Sequence, residues 1–376
     1  MDTSEDARKL DIVMVEPSGV LGAFQYAHNL ANALGAAGHN VVMATGINFE
    51  TKEYPRHYEA VEAFDRFKPR PLRLLRLLRQ VRRMRPDIIH IQAHSHPTSY
   101  LLIDELLRSV SSAVTVMTAQ DVVPKFKKSH HEWSLRRLYP KMQHIFLNAE
   151  QNKQFLLSSF PGIDATKLSV SPVPDLTAFL ENTGTVPDMG IPTGRRVVLF
   201  FGNIEPRKGV LVLINAFTRV LEQVPDAYLM IAGPPFDEMQ QYHDLVEQLG
   251  IQQHVGIRGQ YIPLQDIPGL FERVELLALP YLKGWNSGVI ATAYAHGKPV
   301  IASNIGGFYE VVKNGDTGFL VPPGDQAALA DAIISTLNDA DLHRHVSQGA
   351  KNFSNKTSWS ALAEKTIAAY RNLLSA

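Results

Sequence analysis

No cysteine occurs anywhere in this chain of 376 residues. That removes disulfides, thiolate metal sites and a cysteine nucleophile, and it gives no hint of secretion. A surplus of either charge is also lacking, because 37 Lys and Arg balance 37 Asp and Glu. The molecule as a whole therefore has no pull toward nucleic acid, and any basic function must be local. Long apolar runs are missing too: residues 197–201 form one of the strongest, far too short to cross a bilayer. The first ten residues are polar and acidic, so no signal peptide is expected and the chain reads as cytoplasmic. What remains is a globular composition, 45% apolar and 20% charged, at a length that favours two domains.

The sequence repeats a rhythm of strand, turn and helix. Residues 11–15, 40–44, 87–91, 113–117, 144–147 and 167–170 are short runs rich in β-branched residues, separated by amphipathic stretches. Near-continuous apolar strands alternating with helices predict a parallel sheet covered on both faces. Residues 181–194, with repeated proline and glycine, predict a linker. The rhythm restarts at 197–201 and continues through 227–231, 276–279 and 299–302. The expected organisation is a Rossmann-like domain over 1–180, a linker over 181–194 and a second Rossmann-like domain over 195–354. A terminal helical segment over 355–376 is expected to return to the first domain. Ligands of such doubly wound sheets bind outside the carboxyl ends of the strands, so a cleft between two facing domains is expected.

Residues 285–325 are the most informative stretch. Trp285, Asn286, Ser287, Gly288 and Val289 open a helix of small residues that ends at Gly297, and a short buried strand follows. This order sets backbone N–H groups at a helix start beside a parallel strand tip, where an anion binds well. A second feature lies between the strand 197–201 and the helix that follows it: Gly202-Asn203-Ile204-Glu205-Pro206-Arg207-Lys208-Gly209. Arg offers a planar fork and Lys a point charge, and both suit a diphosphate. Each feature alone also reads as ordinary turn chemistry; together they predict a diphosphate bridging the two.

Those residues, with Ile231-Ala232-Gly233-Pro234, Arg258-Gly259-Gln260-Tyr261 and the block from Gly297 to Asp325, resemble retaining glycosyltransferases of family 4. Ser18-Gly19-Val20-Leu21-Gly22 and Arg85-Pro86-Asp87-Ile88-Ile89-His90 extend the resemblance into the first half. The resemblance implies the GT-B fold, with acceptor and nucleotide-sugar domains facing across a cleft. It implies that Arg207 and Lys208 grip the donor diphosphate and that amides around Asn286, Ser287, Gly288 and Val289 hold its distal phosphate. Gly202, Asn203, Gly233, Arg258 and Tyr261 would line the nucleotide, and Gly22 would let the first loop approach the phosphates. His94 and Asp121 would face the acceptor. The implied chemistry needs no cofactor beyond the nucleotide sugar, UDP being the commonest in the family. The leaving diphosphate itself accepts the acceptor's proton, so the protein's task is to stabilise charge on the leaving group.

Three departures stand out. The family's paired glutamates, eight positions apart, are here Gly284 and Thr292; Thr292 would reach a ribose hydroxyl, and Trp285 either stacks on the sugar or packs. Gln120 stands where the pattern has a histidine beside Asp121, and an amide cannot act as acid or base; its oxygen would instead meet the donor sugar. Pro172-Val173-Pro174-Asp175 lacks the family's glycine. Rival readings are therefore a GT-B sugar-nucleotide epimerase and an inactive binding subunit that kept the fold. His94-Ser95-His96 has no evident third ligand, so no metal is expected.

Residues 70–85 carry no acidic side chain. Leu74, Leu75, Leu78 and Val81 fall on one predicted helical face and Arg73, Arg76, Arg79, Arg82 and Arg83 on another, between Arg70 and Arg85. Such a helix either solvates its arginines at a domain surface or lies on an anionic membrane, which would suit a lipid-linked acceptor. Lys125, Lys127, Lys128, Arg136 and Arg137 would extend that basic surface.

Overall fold

The computed structural model of the protein describes residues 8–122, 129–180, 188–284 and 287–375. Contacts divide the chain into two units, Met1–Pro172 with Trp359–Ala376, and Val173–Ser358.

The first unit is built on β1 (Asp11–Glu16), β2 (Asn40–Gly46), β3 (Glu59–Asp65), β4 (Lys68–Pro69), β5 (Ile88–Ala93), β6 (Val114–Ala119), β7 (His144–Leu147) and β8 (Leu168–Val170). They pair in the order β4-β3-β2-β1-β5-β6-β7-β8. Every neighbour is parallel except β3 and β4. The second unit pairs β9 (Arg196–Phe201), β10 (Ala227–Ala232), β11 (Val255–Arg258), β12 (Leu276–Leu279), β13 (Val300–Ser303) and β14 (Gly318–Val321). Its order is β11-β10-β9-β12-β13-β14, all parallel. Central strands β5 and β10 are buried at every residue, which is why they read as apolar runs. In both sheets the strand order turns back at one place, between β1 and β5 and between β9 and β12. A crevice opens at such a switch point, outside the strand ends.

Strands β3, β4, β11 and β14 have no counterpart among the predicted runs. β4, β11 and β14 lie at sheet edges, β3 is covered on its outer side only by the two residues of β4, and Glu59–Asp65 carries three acidic residues in a half-exposed pattern. An edge strand needs only one covered side and tolerates charge.

The C-terminal helix Trp359–Ser375 belongs to the first unit. Its Trp359 ring meets Tyr26 edge-on at 5.1 Å between centroids, and Tyr370 is fully buried. Residues 355 and 356 complete the preceding helix, Ala340–Lys356. Part of the expected linker, residues 181–187, lies outside the described residues. On either side of it, Phe179, Leu180, Met189 and Ile191 pack on the second unit's core.

Candidate active site

In the second unit the site grows from the β9–β12 switch point. β9 ends at Phe201, and Gly202 follows with φ +121, a conformation that favours glycine. A Cβ placed on Gly202 would lie 3.0 Å from Lys208 Nζ and 4.0 Å from Val289 Cγ2. Residues 206–208 form a single 3-10 turn that ends on Gly209 at φ +67. Gly209 is required there, because a Cβ would lie 2.0 Å from the Pro280 carbonyl oxygen. This close approach of the Gly209 turn to the end of β12 folds Lys208 inward. Its side chain is buried, 8% exposed, with Nζ 5.0 Å from the centre of the Tyr281 ring. Among the described residues no carboxylate forms an ion pair with Lys208. A buried ammonium beside glycine backbone and an aromatic ring, with no carboxylate paired to it, is costly until an anion joins it.

The Lys208 environment has a second wall. Tyr281 Oη lies 3.3 Å from Ser287 Oγ, which joins the lysine environment to the start of the helix Gly288–Ala295. The first amides of a helix have no intrahelical acceptor, so those of Gly288 and Val289 remain available. Lys208, Gly202, Ser287 and Val289 thus come together. Asn286 and Trp285 lie outside the described residues.

Arg207 takes a different posture. Its Nη2 donates to Glu205 Oε1 at 2.5 Å, and its Nη1 lies 3.5 Å from a Cβ placed on Gly284. The glycine that replaces a glutamate thus leaves space that the guanidinium borders. Other predicted donor residues are less open. Thr292 is only 4% exposed, one turn inside its helix, so it does not present its hydroxyl at the surface. Arg258 Nη1 donates to the Asp188 carbonyl at 2.7 Å, while Tyr261 is 42% exposed. Gly233, at φ +147, packs against the Gly202 backbone; a Cβ there would meet the Gly202 carbonyl oxygen at 2.2 Å. Asn203 is half-buried between the two glycines' loops. On the helix start, a Cβ at Gly288 would collide with Leu176.

The first unit holds the remaining predicted residues. Gly22 lies inside the first turn of the helix Leu21–Ala36, not in the loop ahead of it. The glycine that shapes the loop is Gly19, at φ +72, where a Cβ would come within 3.3 Å of Phe49 and the Gly46 backbone. At the β1–β5 switch point Glu16, fully buried, accepts from Ser18 Oγ at 2.6 Å and from the Gly19 amide at 2.8 Å. His94 Nε2 lies 3.1 Å from the same carboxylate. His96 is exposed and stacks on Phe67 at 3.9 Å between ring centres. Gln120 and Asp121 follow the end of β6, both half-buried. Burial, with a contribution from the Asp121 charge, raises the Tyr139 hydroxyl far above its ordinary pKa.

Sequence reasoning missed Tyr281, Glu205 and Glu16. Two had a signal, an acidic residue closing an apolar strand before Ser18-Gly19 and another two positions before Arg207. Tyr281 had none, since only the β9–β12 pairing brings it to Lys208.

The basic helix forms as Pro71–Met84, with its buried side made by Leu77 and Val81 and partly by Leu74 and Leu78. Leu75, placed on that face from the sequence, is 49% exposed, and Leu72 is 77% exposed. The covered stripe follows 74, 77, 78 and 81, a spacing that leaves 75 a quarter-turn outside it. Lys125, Lys127 and Lys128 lie outside the described residues. Arg137 stacks over Trp133 at 4.3 Å, and Arg136 pairs with Glu132.

A family model described as "Glycosyltransferase Family 4" matches residues 20–173, and one described as "Glycosyl transferases group 1" matches residues 195–339. A phosphatidyl-myo-inositol mannosyltransferase of Mycobacterium leprae is 33% identical over 189 residues, 49% of this chain and 48% of that protein. A D-inositol 3-phosphate glycosyltransferase of Corynebacterium glutamicum is 27% identical over 241 residues, 61% of this chain and 57% of that protein. The chain thus spans about half the length of the curated relatives it matches. Among solved structures, a glycosyltransferase of Rickettsia africae superposes with a TM-score of 0.76 at 21% identity, over 98% of this chain and 99% of that one. The Anabaena protein HepE, solved with UDP-glucose, superposes with a TM-score of 0.74 at 18% identity, over 96% and 100%. The domain matches in both halves, together with the two parallel sheets, place this chain in glycosyltransferase family 4, with the GT-B fold.

Proposed function

We propose that the protein is a retaining glycosyltransferase that moves a sugar from a nucleotide diphosphate to a glycan or lipid-linked acceptor without a metal. The observation that carries this reading is the buried Lys208 ammonium, without an ion pair among the described residues, beside the amides that open the helix Gly288–Ala295. A sugar diphosphate supplies the missing negative charge there, and the charge grows as the sugar–phosphate bond breaks. In the reaction the bond from the anomeric carbon to the diphosphate oxygen breaks and a bond to the acceptor oxygen forms. The acceptor's proton goes to the departing diphosphate. Arg207 assists by exchanging its partner Glu205 for phosphate oxygen, and Gln120 meets the donor sugar. The second unit binds the donor and the first supplies the acceptor site. UDP is the preferred nucleotide, consistent with the structural likeness to a protein solved with UDP-glucose.

The test is turnover with a panel of UDP- and GDP-sugars, each with and without acceptors. Arg207→Ala and Lys208→Ala are each expected to reduce turnover on the order of 10²–10³-fold. Near-wild-type turnover of the double variant sinks the assignment. Conversion of donor without any acceptor marks an epimerase, and nucleotide binding without transfer marks a binding subunit.

A lipid-linked acceptor also fits the helix Pro71–Met84. Arg70 and Arg73 at its start are neutralised by Asp65 and Glu62. Arg79, Arg82, Arg83 and Arg85 have no acidic partner among the described residues and line an open groove of about 590 Å³. Leu72 and Leu75, exposed beside them, support the reading of this surface as that of an interfacial helix. We therefore place the protein in the cytoplasm, touching the inner face of the membrane through this helix.

A further inference from the structure

A buried chain of polar side chains runs from the C-terminal helix to Gln120. Gln120 Nε2 donates to the Ala23 carbonyl at 3.2 Å and to Gln92 Oε1 at 3.4 Å. Gln92 Nε2 lies 3.2 Å from His90 Nε2, which is also 2.7 Å from Thr118 Oγ1. On the other side of the ring, His90 Nδ1 lies 2.5 Å from Tyr370 Oη. His90, Gln92, Thr118 and Tyr370 are all fully buried.

One atom sets the direction of the whole chain. The Ala23 carbonyl can only accept, so Gln120 must turn its amide nitrogen toward it. The same nitrogen then donates to Gln92, whose oxygen must face Gln120 and whose nitrogen must face His90. An amide nitrogen can only donate, so His90 Nε2 must be the acceptor and the ring proton sits on Nδ1, directed at Tyr370. Burial holds His90 neutral, its pKa lowered to about 3, so the ring does not escape this polarity by gaining a second proton. With its nitrogen bound on two sides, Gln120 has its oxygen left over. Among the described residues no donor reaches that oxygen. Gln120 follows the carboxyl end of β6, where ligands of such sheets bind.

We propose that Gln92 is a positioning residue that, with the Ala23 carbonyl, locks the Gln120 amide with its nitrogen inward and its oxygen outward, as an acceptor for a sugar hydroxyl, and that His90 and Tyr370 take their proton polarity from it. This makes Gln120 a one-way reader: it accepts from a hydroxyl and offers nothing to a phosphate oxygen. The sugar assignment rests on the proposed transferase function, whereas the orientation of the amide does not.

The experiment separates the two. Nitrogen-15 NMR of the full chain reads the His90 tautomer and the Gln120 side-chain amide, and calorimetry compares UDP-glucose with UDP. The wild type is expected to show an Nδ1-protonated His90. Gln92→Leu is expected to shift the Gln120 amide resonances and weaken UDP-glucose about tenfold while leaving UDP unchanged. Gln92→Glu keeps an acceptor for Gln120 but removes the donor to His90. It should move the ring proton to Nε2 or charge the ring, with UDP-glucose affinity preserved. Tyr370→Phe should leave the tautomer as it is, because Gln92 sets it. An Nε2-protonated wild-type His90, an unmoved Gln120 amide in Gln92→Leu, or equal weakening of both nucleotides overturns the proposal. If the wild type binds neither nucleotide, the proposed function falls, and the tautomer and amide shifts alone decide this inference. Should Gln92→Leu fail to fold, the His90 tautomer in Gln92→Glu and Tyr370→Phe decides in its place: a ring proton that stays on Nδ1 in Gln92→Glu, or leaves it in Tyr370→Phe, overturns the proposal.

Discussion

Lys208 and Gly202 work as a pair. The backbone at Gly202, at φ +121, carries no side chain, and the space so left is taken by the Lys208 ammonium. A side chain at Gly202 meets both penalties at once, a strained backbone and a displaced charge. Gly202→Val is expected to lower stability by about 1–3 kcal/mol and to weaken nucleotide binding further than that loss of stability accounts for. Urea titration and calorimetry on the same variant check this; unchanged nucleotide affinity would detach Gly202 from the site.

Buried histidines make a second residue-scale prediction. Burial lowers the pKa of His90 to about 3, helped by the His144 charge, and that of His28 to about 4, helped by Arg56. In the unfolded chain a histidine takes a proton below about 6.5. Between that value and the native ones the unfolded state binds more protons, so stability rises with pH across this window. It is complete above about 6.5 and is lost as pH falls toward 4 and then 3. Each group steepens the slope by up to about 1.4 kcal/mol per pH unit. Urea midpoints measured from pH 7 to pH 4 should fall accordingly, and His28→Gln should flatten the dependence. A flat profile in the wild type would show that these rings are protonated in the native state.

At the scale of elements, the helix Pro71–Met84 divides along its length as well as around it. Its first arginines satisfy carboxylates of β3, and its last ones line the open groove. Reversing charge at both ends should therefore have different results. Arg79→Glu with Arg82→Glu and Arg83→Glu is expected to abolish binding to vesicles containing phosphatidylglycerol at low salt, with little loss of stability. Arg73→Glu is expected to destabilise the β3 edge by repulsion from Glu62 and to leave most vesicle binding intact. Sedimentation with vesicles at two salt concentrations reads both, and equal effects of the two sets would remove the membrane surface proposed here. Strand elements follow the same logic of place. β10 is legible because both its faces are buried, whereas β3, covered on its outer side only by the two residues of β4, is hidden in the sequence by its three acidic residues.

For the whole molecule, the last helix belongs to a unit whose other residues end near Pro172. Trp359 and Tyr370 complete that unit's core and its buried polar chain. Ending the chain at Ser358 is expected to destabilise the first unit selectively. Hydrogen exchange should show early opening of β1, β5 and β6, with β9, β10 and β12 still protected. Equal loss of protection in both units, or none in either, would contradict this division.

The amino-acid order by itself determined two parallel sheets, since buried strands must be apolar along their length, and the pair of turns proposed to bind a diphosphate, since glycines and cations at strand ends are local in sequence. It also placed Gln120 at a strand tip. Tertiary structure alone decided which side chains share a site, because contacts across the sheet do not depend on sequence distance. It turned Lys208 toward Tyr281, tied Arg207 to Glu205, closed Thr292 inside its helix and let Tyr370, 280 positions beyond His90, complete the buried polar row that ends at Gln120.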